Sequence, residues 1–77
     1  MKNKKIAVMA GTPVDTQMGV DFLTSKGLNT FSYPVSKNPR EQLLFQTIPS
    51  EERKNSILKL ISKIKNDGMD AIFVYCN

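Results

Sequence analysis

Apolar runs and helical patterns alternate along this chain. Ile6-Ala7-Val8-Met9-Ala10 has no polar interruption and stops at Gly11, the pattern of a short strand buried on both faces. A helix start follows. Thr12 suits a cap, Pro13 suits the first helical position, and Asp15 stands where the acid of a capping box belongs. The predicted helix runs from about Pro13 to Lys26 and ends at Gly27, a C′ glycine. Val14, Met18 and Phe22 recur at four-residue spacing and read as its core face. Leu28 to Val35 reads as a second strand, with Phe31, Tyr33 and Val35 alternating with Asn29, Ser32 and Pro34. Alternation and Pro34, which cannot donate to a ladder, predict an edge position.

The second half repeats this logic. Asn38-Pro39-Arg40-Glu41 predicts another capped helix, from Pro39 to about Thr47, and Ile48-Pro49 breaks it. Ser50 reads as the cap of a third helix, with Glu51 and Glu52 at the positive end of its dipole. Ile57, Leu60, Ile61 and Ile64 form its predicted buried stripe, and Lys54, Lys59, Lys63 and Lys65 its solvated side. Gly68 stops it. Ala71-Ile72-Phe73-Val74-Tyr75 then reads as a third strand, covered on both faces, leading into Cys76 and Asn77.

Strand, helix, strand, two helices, strand predicts an α/β domain: a three-layer α/β/α arrangement with a short parallel sheet. Right-handed crossovers and an edge position for the second strand give the order 2-1-3, with the first helix on one face and the Ser50 helix on the other. The winding direction then reverses between the first and third strands. Open α/β sheets bind ligands at such a switch point, outside the carboxyl ends of the strands. Gly11-Thr12-Pro13 and Cys76-Asn77 are expected to face each other there.

Composition narrows the options. The chain has 77 residues, one small domain, with a formal charge of +4. Its basic residues are scattered and not interleaved with aromatics, so nucleic acid is not an expected partner. No apolar run approaches the ~18 residues of a membrane span, and none after Lys5 has the length of a signal-peptide core. A single cysteine allows no internal disulfide and fits a reducing cytosol, hence a cytoplasmic expectation. There is no histidine, and no spacing of cysteine and carboxylates suggests a metal site.

Cys76 ends a predicted parallel strand, where a thiolate can act as base or nucleophile. Its alternative role is a small buried hydrophobe closing that strand. Gly11 and Thr12, before a helix, can present backbone amides to an anion. They carry neither the glycine fingerprint of a dinucleotide loop nor the Lys-Ser/Thr of a Walker A loop.

Together these residues resemble the aspartate/glutamate racemase superfamily. "VYCN" is similar to its first cysteine motif, a strand ending in Cys-Asn. "KIAVMAGTP" is similar to its first strand and glycine turn, and "YPVSKNPREQLLFQ" lies where glutamate racemases carry a substrate-contacting Pro-Tyr-Gly segment. Ala10-Gly11-Thr12 is nearer the glycine-rich aspartate type than the Asp-Ser-Gly of glutamate racemases, and Val35-Ser36 replaces Tyr-Gly.

The resemblance implies that residues 1–77 are the amino-terminal part of a lobe, half of a flavodoxin-like sheet, in a protein with two such lobes and the site between them. It implies proton transfer at Cα by two thiols, without pyridoxal phosphate or metal. Cys76 is implied as one of the thiols, and Asn77, Gly11, Thr12 and Ser36 as contacts to an amino-acid substrate. With the second base on the other lobe, this chain alone is expected to be inactive. The other reading is a non-catalytic α/β remnant or a module that self-associates through its unpaired sheet edge. On either reading the edge is expected to meet another copy or a second lobe.

Overall fold

The computed structural model describes residues 4–75, the Pro39 side chain excepted. The elements are β1 (Lys5–Ala10), α1 (Pro13–Ser25), β2 (Asn29–Pro34), α2 (Pro39–Thr47), α3 (Ser50–Asn66) and β3 (Ala71–Val74). The three strands form a parallel sheet in the order β2-β1-β3. This is the fold class and strand order expected from the sequence. No helix among the described residues is long and apolar enough to cross a membrane.

β1 is the central strand, and Ile6 through Ala10 are all buried. Its alternating side chains build two small cores. Ile6 and Val8 pack with Leu23 and Val20 of α1, and with Leu28, Ala71 and Tyr75. Ala7 and Met9 pack with Ile64, Ile57, Leu60 and Ile61 of α3, and with Tyr33, Val35 and Met69. The stripe read for α3 is therefore its core face, and α1 and α3 lie on opposite sides of the sheet.

Three details differ from the sequence reading. The outward side of α1 carries Val14, Met18 and Phe22, at 67%, 47% and 53% exposure. Its inward side is Thr16, Gly19 and Leu23. Two of those three are not large apolar residues, so the stripe of larger residues misled. Thr16 is fully buried because its hydroxyl donates to the Thr12 carbonyl at 2.6 Å. Second, β3 is not covered on both faces: Ile72, Phe73 and Val74 are all exposed, because β3 is an edge strand. Third, Ser50 does not cap α3. The cap position is Pro49, without a side-chain bond, and Ser50 is the first helical residue. Thr12 and Asn38 do cap, accepting from the N–H groups of Asp15 and Glu41. Gly27 and Gly68 close α1 and α3 at φ of 86° and 82°, the left-handed conformation that favours glycine.

Gly19 sets how closely α1 approaches the sheet. A Cβ there would lie 2.7 Å from Val8 Cγ1 and 3.1 Å from Tyr75 Cβ. Gly19→Ala gains about 1 kcal/mol of helix propensity, against about 1–3 kcal/mol for overpacking a closed core. Urea denaturation is expected to show a net loss of roughly 1 kcal/mol, reduced in a Val8→Ala background. Stabilisation by Gly19→Ala in the wild-type background would contradict this packing.

A polar contact joins β2 to the end of α3. The Tyr33 hydroxyl donates to Asp67 Oδ2 at 2.7 Å, and Lys63 Nζ donates to the same oxygen at 3.1 Å. Partial burial and the bond to Asp67 raise the Tyr33 pKa above the ordinary 10.0. The bonds from Tyr33 and Lys63 hold the Asp67 carboxyl below the ordinary 3.8. Asp67 therefore contributes stability above the unfolded carboxyl value, lost as pH falls through the lower folded value. Tyr33 contributes below pH 10.0, and its share is lost as pH rises through the higher folded value. Tyr33→Phe is expected to destabilise slightly at neutral pH and progressively less towards either extreme. Urea midpoints across pH test this, and a difference that does not vary with pH would contradict it.

Candidate functional site

The carboxyl edge of the sheet, where a crevice is expected from sequence, is built by the turns that leave the strands. The β1–β2 pairing continues past the strands: Val35 N–H donates to the Ala10 carbonyl at 2.8 Å, and Ser36 N–H to the Gly11 carbonyl at 2.9 Å. These bonds bring Gly11, Thr12 and Ser36 to one place. Thr12 and Ser36 are buried and Gly11 half-buried.

Thr12 is committed to starting α1. Its hydroxyl accepts from Asp15 N–H at 3.3 Å and lies 3.2 Å from Asp15 Oδ2, to which it donates. Its carbonyl accepts from the Thr16 amide and the Thr16 hydroxyl. Asp15 thus returns a bond to the cap side chain, where a full capping box would use the cap amide. What Thr12 contributes to the crevice is chiefly the start of α1, with the dipole of a 13-residue helix behind it.

On the other side of β1, Tyr75 N–H donates to the Met9 carbonyl at 2.9 Å, carrying the ladder one residue beyond β3. Cys76 and Asn77 follow directly in sequence and lie outside the described residues. Three of the five residues singled out from sequence are therefore brought together, and the chain that leads to the other two ends beside the same strand.

Two further residues belong to this edge. Gln42, in α2, lays its side chain against Gly11, and a Cβ at Gly11 would collide with its amide. Arg53 stands four residues before Ile57 and eleven before Ile64, on the sheet-facing side of α3. α3 runs back along the sheet, so its first turns lie at the carboxyl edge. Arg53 Nε is buried and makes no hydrogen bond among the described residues. The sequence signal for Arg53 was its place in register with the isoleucine stripe, where a solvated cation does not belong. Nothing in the sequence marks Gln42, whose role comes from how α2 is set over β1.

Other features lie elsewhere. An apolar depression of about 200 Å3 runs along β3, lined by Ile61, Ile64, Lys65, Met69 and Ile72. It sits near the start of β3, away from the carboxyl edge. Among the described residues no cluster of histidine, cysteine, aspartate or glutamate could hold a metal ion. No protein-family model matches the chain, nor does any curated protein or solved structure.

Proposed function

We propose that this chain is the amino-terminal part of one lobe of an amino-acid racemase of the aspartate/glutamate type, binding its substrate across the carboxyl edge of the sheet. The observation that carries the reading is the buried Arg53 Nε, without a hydrogen bond among the described residues, in the first turn of α3 at the carboxyl edge to which Gly11, Thr12 and Ser36 also belong. A buried donor without a partner costs about 1–3 kcal/mol, and an anionic ligand relieves that cost. A carboxylate suits it: Arg53 supplies a planar cation, and the start of α1 supplies a positive dipole end and the Val14 amide, those of Asp15 and Thr16 being bonded to Thr12.

Cys76 follows Tyr75 directly in sequence and is the chain's one cysteine. As a thiolate it takes the proton from Cα on one face, and the electron pair left behind delocalises into the substrate carboxyl group. Inversion then requires a proton donor on the opposite face. In this reading a second lobe supplies that thiol, and the present chain by itself binds substrate without inverting it. A thiol suits the task because its ordinary pKa of ~8.5 leaves thiolate accessible near neutrality. The likeness of the Cys-Asn strand end and the glycine turn to the racemase superfamily supports the same assignment.

Binding of D- and L-aspartate and glutamate, followed by amide chemical shifts, tests this. The expected shifts fall on Gly11, Thr12 and Ser36. Arg53→Met is expected to weaken binding about 10- to 100-fold, the value of a charge-assisted bond, while leaving the melting temperature unchanged or raised. Gly11→Ala should also weaken it, because the new Cβ must displace the Gln42 side chain that lies against this turn. Absence of shifts at this edge with all four amino acids would overturn the reading.

A further inference from the structure

The two edges of the sheet are protected very differently. β2 ends in Pro34 and carries Asn29, Thr30 and Ser32, polar residues and a proline that discourage further pairing. β3 has none of these devices. Ala71–Val74 holds no charge and no proline, and three of its four side chains are exposed and apolar. Since Tyr75 N–H points to β1, alternation turns the N–H groups of Phe73 inward and those of Ile72 and Val74 outward, to the open edge. Apolar surface continues onto the flank of α3, where Leu58 is exposed on the same helical stripe as Ile61 and Lys65, both lining the depression beside Ile72.

We infer that β3 pairs antiparallel with β3 of a second copy across a two-fold axis, joining the two sheets into one of six strands. The pairing is self-complementary. With Phe73 opposite the partner's Phe73, Ile72 meets the partner's Val74 and exchanges both outward backbone bonds with it. Register keeps faces matched: Ile72 and Val74 lie on the α3 side with Ala7 and Met9, and Phe73 on the α1 side with Val8. Apolar residues therefore meet apolar residues at every position on both faces.

Charge selects the antiparallel sense. α3 begins with Glu51 and Glu52 and ends with Lys63 and Lys65. A two-fold axis sets the two copies of α3 side by side on the same face in opposite directions, so acidic starts approach basic ends. A parallel pairing of the same edges would need a two-fold axis along the strands, which puts the two α3 helices on opposite faces and loses this complementarity. This association does not depend on the crevice binding any ligand, because the paired edge lies outside it.

Sedimentation velocity of the whole chain over a concentration series tests the proposal. The wild type is expected to reach twice the 8.7 kDa chain mass and stop there. Val74→Pro removes an outward N–H without touching a bond to β1 and should sediment as a monomer with unchanged circular dichroism. If that variant fails to fold, Phe73→Lys provides the same test by placing two cations opposite one another. In a Cys76→Ser background, Phe73→Cys should cross-link on mild oxidation and Ile72→Cys should not, because only the former faces its own copy. A wild type that stays monomeric at high concentration would overturn the proposal. So would growth beyond two copies, or a dimer that persists in a folded variant.

Discussion

Burial of β1 is the constraint on which the rest of the molecule depends. Five successive residues, Ile6 to Ala10, are removed from water, and a strand buried on both faces needs both of its edges paired as well. β2 and β3 supply the pairing, and α1 and α3 supply the cover. The core is thin: α1 rests on Ile6 and Val8, and α3 on Ala7 and Met9. That explains why Gly19 matters: the close approach of α1 to Val8 and Tyr75 leaves no room for a methyl group. It also explains why β3 is bare. With α1 seated against the β1–β2 side, nothing among the described residues shields the exposed face of Phe73.

The same constraint shapes the carboxyl edge of the sheet. Chains leaving β1 and β2 are held together by the bonds from Val35 and Ser36 to Ala10 and Gly11, and the ladder on the other side runs to Tyr75. The start of α1, a glycine turn and the first turn of α3 with the buried Arg53 Nε all lie at the carboxyl end of the sheet. The polar groups of Thr12 and Asp15 are consumed in starting α1. Positive character at this edge therefore comes from Arg53 and the dipole of α1, set against the Asp15 carboxylate in the first turn.

Much of this was legible in the sequence because the punctuation is strong. Two Pro-led helix starts after capping residues, two left-handed glycines and the Ile48-Pro49 break mark every helix. The uninterrupted Ile6–Ala10 run identifies the central strand. The order 2-1-3 followed from chain handedness and Pro34. What failed were inferences from apolar spacing alone. Val14, Met18 and Phe22 look like a core face, yet the inward side of α1 is chosen by what fits against Val8: a glycine, a self-bonded threonine and Leu23. Ala71–Tyr75 looks like β1, but a strand's burial depends on how many neighbours it has, and local sequence does not encode that. At the candidate site, Gly11 and Thr12 were readable from the end of the first strand, and Ser36 was implied by the family resemblance. Gln42 and Arg53 needed the packing of α2 and α3.

Amide hydrogen exchange, followed residue by residue, tests the role of β1 most directly. If the strand is the hub, the amides of Ile6 to Ala10 exchange slowest, opening only with global unfolding, while those of Leu43 and Leu44 in the exposed α2 exchange by local fraying. Exchange in β1 as fast as in α2 would contradict the claim that this buried strand holds the fold together.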